Sequence, residues 1–433
     1  MNDQTKSLSE VHRSVDVPKT ASFIRKLFAF SGPAYLVAVG YMDPGNWATD
    51  LAGGSQFGYT LLFVIALSAV IAMILQHLAA KVGIVTGRDL AQLCRETYSK
   101  PVSILLWISA ELMIIACDLA EVIGSAIALY LLFGIPLVIG ILITAADVLL
   151  LLLLQNKGFR YLEALIIVLI ATIVACFSYE LAISHPAIGP LLSGFIPTIE
   201  LFTNTEMLYI ALGIIGATVM PHNLFIHSSV VQTRRYEEHE EGKREAVKFA
   251  TIDSMIALSI AFFVNASILI VAAAAFYTTG HTEVTEIEDA YNLLAPVLGV
   301  SFAGILFGVA LLAAGQNSTI TGTLAGQIIM EGFLNWRIKP WLRRIITRLI
   351  AIVPALAVII FFQDYGLGKL LILSQVILSI QLPFIVIPLV RFSGNRELMG
   401  PFKNGRILAS VSYVIATVLV ILNGWLIYSS VFL

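Results

Sequence analysis

The sequence predicts an all-α polytopic membrane protein with eleven transmembrane helices. Three observations carry this prediction. Apolar residues fill 58% of the 433 positions and charged residues only 12%, against roughly 45–50% and 25% in soluble domains. Eleven apolar stretches, each near the ~20 residues that cross a bilayer, follow one another along the chain. Nearly all of the basic residues fall in alternate connections.

The stretches lie at residues 29–52, 60–82, 102–133, 135–154, 161–181, 205–232, 249–279, 297–330, 345–363, 367–390 and 407–430. A polar tail, residues 1–27, precedes them and is expected to be mobile; it has no cleavable signal pattern, because the first apolar stretch is too long for a signal core. With the tail in the cytoplasm, the tail and every second connection, counted with the span ends that flank them, hold 25 of the 26 Lys and Arg residues, and only Lys369 falls elsewhere. The connections 182–204 and 280–294, on the opposite side, contain none. This alternation places the N-terminus in the cytoplasm and the C-terminus outside, in a plasma (inner) membrane, with the bilayer as the surrounding solvent.

Span 1 reads Ala38-Val39-Gly40-Tyr41-Met42-Asp43-Pro44-Gly45-Asn46-Trp47, with a proline and a glycine side by side in mid-membrane. Pro44 removes a helix hydrogen bond and clashes with the preceding turn. Such a break is tolerated in lipid only where the freed carbonyls face protein, water or a ligand. Asp43 and Asn46 stand beside those carbonyls. Span 6 repeats the device in Gly216-Ala217-Thr218-Val219-Met220-Pro221-His222-Asn223. Matched breaks in spans 1 and 6 are what an inverted five-plus-five repeat predicts, with a site near the midplane between them. The halves would be residues 28–181 and 205–391, and 407–430 would be an added helix.

Oxygen ligands alone would suit Mg²⁺ or Ca²⁺. A thioether from Met220, facing Asp43 and Asn46, shifts the preference toward divalent transition metals. Span 3 carries Glu111, Asp118 and Glu121 on one helical face. Three carboxylates there are costly in lipid unless paired or protonated, and they suggest a proton relay. His222 and His227 are candidate members, because histidine titrates near neutral pH. Arg343, Arg344 or Arg348, at the start of span 9, could supply partner cations. Asp147 in span 4 reads as structural, whereas Asp50, Glu163 and Asp253 lie near enough to span ends to reach the interface. The polar run Gln316–Thr321 of span 8 reads as interhelical hydrogen bonding. Glu237-Glu238-His239-Glu240-Glu241 reads as a solvated charge run.

Other classes are excluded. A net charge of −2 offers no basic excess for nucleic acid. Cys94, Cys117 and Cys176 are scattered, without metal-ligand spacing. No nucleophile constellation, nucleotide loop or zinc motif points to an enzyme, and nothing calls for a resident cofactor or an obligatory protein partner. A sodium-coupled amino-acid symporter on the same architecture is the alternative, but Asp43 would repel a substrate carboxylate.

Asp43-Pro44-Gly45-Asn46 and Met220-Pro221-His222-Asn223 resemble the signature motifs of the Nramp family of proton-coupled divalent-metal transporters. The likeness extends through Asp118-Leu119-Ala120-Glu121, Gly315–Gly322 and Ser374-Gln375-Val376, and runs from about residue 28 to the end. It implies a leucine-transporter-like fold and import of Mn²⁺ or Fe²⁺ as transported substrate. It also implies metal ligands at Asp43, Asn46, Met220 and the Ala217 carbonyl, with Gln375 approaching as the site closes. Many relatives carry alanine at the position of Gly40, and glycine offers the same carbonyl.

Overall fold

The first span is not one helix. A short α1 (Phe23–Phe30) leads through Ser31 and Gly32 into α2 (Pro33–Gly40), and α3 (Pro44–Phe57) begins only after three further residues. Pro33 and Pro44 both start helices, where a missing N–H is not needed. The computed structural model describes the backbone of residues 7–8, 11–18, 22–144, 159–336, 338–362 and 366–432.

The chain continues through α4 (Leu62–Thr86), α5 (Leu90–Thr97), α6 (Lys100–Phe133), α7 (137–144) and α8 (Phe159–Ile183). Short helices α9 (Ile188–Ser193) and α10 (Glu200–Thr203) lead to α11 (Thr205–Val219) and α12 (Pro221–Val230), which meet at Met220. Then come α13 (Glu240–Ala272), α14 (Ile287–Leu298), α15 (Ala303–Leu334), α16 (Pro340–Phe362), α17 (Leu367–Ser393), α18 (Arg396–Met399) and α19 (Arg406–Phe432). Eight helical runs among the described residues are long and apolar enough to cross a membrane. The other three expected spans fall at the broken α2–α3 pair, at α7 and at α16. Asp147, expected in the α7 span, lies outside the described residues.

Two details differ from the sequence reading. The seventh span begins at Glu240, nine residues early, because its polar first turns stay helical beyond the apolar stretch. The connection 280–294 is partly helical, through α14.

Close packing uses small residues, as expected where no hydrophobic effect draws helices together. A Cβ on Gly83 would run into the Ser228 backbone, and one on Gly216 into the Gln375 carbonyl. α4 is thereby seated on α12, and α17 on α11. The aromatic core beside the first break is Trp47, set edge-on to Phe177 of α8 at 4.8 Å and Phe307 of α15 at 5.0 Å.

The tail is not free where it is described. β1 (Val15–Asp16) pairs in parallel with β2 (Arg234–Arg235), at the exit of α12. The expectation of a mobile tail fails for these residues, because Val15 and Leu8 find apolar burial and backbone partners.

Candidate metal centre

The break in span 1 leaves Asp43 as the cap of α3. Its Oδ1 accepts from the Asn46 backbone N–H at 2.8 Å and from Asn46 Nδ2 at 2.8 Å. Its Oδ2 has no hydrogen-bond partner among the described residues. The break in span 6 brings the Ala217 carbonyl to the same place, where it accepts from Asn46 Nδ2 at 3.1 Å. The Gly40 carbonyl lies 3.4 Å from the same nitrogen. Three oxygens thus surround one amide nitrogen that has only two hydrogens to give. Oxygens gathered in this way suit a cation at least as well as an amide.

Met220 sits at the facing break with φ 36°, a left-handed conformation unusual for a residue with a side chain. It follows from the geometry of the interruption: Pro221 must begin α12 while the Met220 N–H still reaches Gly216 at 3.3 Å. Asp43, Asn46, Ala217, Met220 and Gln375 are all fully buried, so the group is shut off from solvent. Gln375, from α17, packs directly over Gly45, where a Cβ would overlap its side chain. Its Oε1 has no partner among the described residues.

Supporting residues hold this arrangement, one of them, Asn265, not singled out by the sequence reading. Asn265 of α13 donates to the Asn46 Oδ1 at 3.2 Å and to the Tyr41 carbonyl at 2.9 Å. Asn223 donates to the Val37 carbonyl at 3.1 Å, tying the two breaks together. The signal available for Asn265 was a lone amide in mid-span, where an unpaired polar group is costly.

The second group is a row of charges along α6. Arg348 donates to Glu121 at 3.1 Å, to the Asp118 carbonyl at 3.5 Å and to Thr319 at 2.8 Å. Arg343 holds both oxygens of Glu111, at 2.8 and 3.0 Å. The Arg344 side chain lies outside the described residues. Cys117 bridges the row to the metal-side break, 3.6 Å from Glu121 and 3.8 Å from His222. His227 is not brought to this row; it bonds Gln76 at 2.9 Å, and Gln76 donates to Tyr41 at 2.7 Å. Helix α12 turns the two histidines to different neighbours, since five residues place them on different faces.

Three carboxylates expected near the interface are buried instead. Glu163 pairs with Arg234 at 2.8 Å, and Asp253 accepts the Ala34 N–H at 3.1 Å. Asp50 is fully buried, and neither of its oxygens has a hydrogen-bond partner among the described residues. Arg234 also donates to the carbonyls of Phe30 and Ser31 at 3.2 and 2.7 Å. A buried charge is tolerable when paired and bonded in this way. The run at 237–241 is solvated as expected, with Glu237 on His239 and Glu240 on Arg244.

Comparisons with known proteins identify the family. The family model described as natural resistance-associated macrophage protein-like matches residues 34–429. The chain belongs to the Nramp family. A divalent metal cation transporter MntH from Nostoc sp. is 59% identical, with 98% of this chain and 96% of that protein covered. The MntH of Listeria welshimeri is 60% identical, with 98% and 95% covered. A variant of the Eremococcus coleocola manganese transporter superposes with a TM-score of 0.89 at 43% identity, covering 96% and 90%. Mhp1, a nucleobase-cation-symport-1 family transporter, shares the fold alone, with a TM-score of 0.62 at 18% identity. These Nramp relatives are named as transporters, and this chain shares their all-α, leucine-transporter-like membrane fold.

Proposed function

We propose that the protein imports divalent transition-metal ions, Mn²⁺ or Fe²⁺, together with protons across the plasma membrane. The observation that carries this reading is the convergence of one carboxylate and two helix-end carbonyls on the Asn46 amide, with Met220 buried at the second break. Asp43 supplies the single formal charge. Asn46 turns its amide oxygen inward as the cation replaces the Nδ2 hydrogens, and the Ala217 carbonyl completes the oxygen set. Met220 discriminates, because Ca²⁺ and Mg²⁺ gain nothing from sulfur. Gln375 closes over the ion from α17.

In this reading the halves 28–181 and 205–391 rock against each other about the site, and the N-terminus faces the cytoplasm. Protons pass from Asp43 to Asp118 and Glu121, then leave between α6 and α16 past Glu111, which Arg343 holds in place. Cys117 and His222 stand between the metal site and that row. The names of the MntH relatives and the manganese transporter support the choice of substrate.

The test is uptake into proteoliposomes. Wild type should accumulate Mn²⁺ with an inward proton gradient, and Asp43→Ala should lose metal uptake altogether. Robust Mn²⁺ accumulation by that variant would overturn the assignment.

A further inference from the structure

The N-terminal tail ties the exit of one broken helix to the end of an unbroken one. The Leu8 N–H donates to Glu331 Oε2 at 3.0 Å, at the end of α15, and Leu8 is 2% exposed. A few residues on, the Arg13 N–H donates to the Gln232 carbonyl at 3.0 Å, beyond α12. The Arg13 guanidinium reaches Glu238 and the Tyr236 carbonyl, each at 2.8 Å. β1 then pairs with β2, and Asp16 meets Arg235 at 2.9 Å.

Two features mark this as a built contact. Leu8 and Arg13 hold φ of 52° and 54°, a left-handed conformation that persists only where the surroundings over-determine it. The strand partner Arg234 is also the residue that clamps the Phe30 and Ser31 carbonyls, at the entry to α2. The tail therefore adds backbone hydrogen bonds to the segment that holds the first half-helix in place.

From this we infer that residues 7–8 and 11–16 act as a latch across the cytoplasmic mouth, holding it shut until α12 and α2 move away from α15. The inference rests on the alternating-access reading above. α12 follows the break at Met220 and moves with it, whereas α15 is continuous. A strap bonded to both resists their separation and must let go of one of them when the ion is released inward. The contacts at Asp16, Arg235 and Glu238 are exposed and weak, as a reversible strap requires, whereas the Leu8 end is buried.

A disulfide across the latch tests it. Leu8→Cys combined with Glu331→Cys should form on oxidation, since the three native cysteines are buried and leave the new pair to react. The bridged protein should take up Mn²⁺ roughly tenfold or more slowly than the same protein after reduction, while each single-cysteine variant stays insensitive to oxidant. In full-length protein, Val15→Pro, within the strand paired to β2, should raise labelling of thiols introduced along the cytoplasmic path. Equal uptake by bridged and reduced protein, with the bridge verified by mass spectrometry, would overturn the latch. Absence of Mn²⁺ uptake by wild type would instead sink the transport reading, so the two failures are distinct.

Discussion

At the scale of single residues, the centre is unusual for having only one charge. Among the described residues no cluster of three histidine, cysteine or acidic side chains could hold a metal. In the proposed site, selectivity then rests on Met220. Met220→Ala should keep part of the Mn²⁺ uptake while discrimination against Ca²⁺ falls roughly tenfold or more; competition uptake assays measure this, and unchanged discrimination would remove the sulfur from the site. Gly45 carries a steric requirement, because any Cβ there overlaps Gln375. Gly45→Ala should cut Mn²⁺ uptake strongly while Gln375→Ala in the same chain restores part of it. No recovery in the double variant would show that the glycine serves the backbone alone. The two helix breaks beside the proposed ligands were legible in the sequence because prolines announce them. Asn265 was not, being a lone amide among many, whereas Arg348 was already a candidate partner for the span 3 carboxylates and is found on Glu121.

At the scale of elements, the two breaks are built differently. Asp43 caps α3 with its own side chain, whereas Met220 bends through a left-handed backbone with no side-chain cap. Pro221→Ala would let α11 and α12 merge toward one helix, and should lower uptake more than it lowers stability; tracer uptake alongside a thermal-shift assay separates the two. α5 has its own cap, Asp89, which accepts the Gln92 N–H at 2.9 Å and is 1% exposed. Burial raises the Asp89 carboxyl to about 6. A folded-state value above the unfolded ~3.9 means that the native state holds the proton more tightly. Asp89 then favours folding most at low pH, and that advantage is lost as pH rises toward about 6. Asp89→Asn, which still caps, should raise the melting temperature at neutral pH, and the gain should shrink between pH about 6 and about 4. An equal gain at both ends would mean that charge is not the cause. Helix positions were readable from hydropathy, but the bound tail was not: its residues are polar, and its partners come from three distant segments.

At the scale of the molecule, most of the basic residues were assigned to one face by counting alone, and that count also hid the interior. Arg234 and Arg348 belong to the cytoplasmic tally by position, yet both are buried and paired with carboxylates. A rule about loops cannot see which side chains turn inward. The carboxylate row on α6 is now matched by two arginines from α16. Arg348→Ala would remove the arginine from Glu121, and should slow proton entry more than Mn²⁺ binding. Dye-reported acidification set against isothermal titration checks this, and equal losses in both would make the pair a structural brace.

In the proposed cycle, the single carboxylate at the centre also decides how voltage acts. With Asp43 ionised, the empty carrier bears one negative charge at its midplane, and a bound divalent ion reverses that to one positive charge. An inside-negative potential, worth ~2.3 kcal/mol per charge per 100 mV across the full membrane, then draws the loaded centre inward and drives the unloaded centre outward. Both half-turns of the transporter run downhill in the same electric field, and a second carboxylate would abolish the first of those pulls.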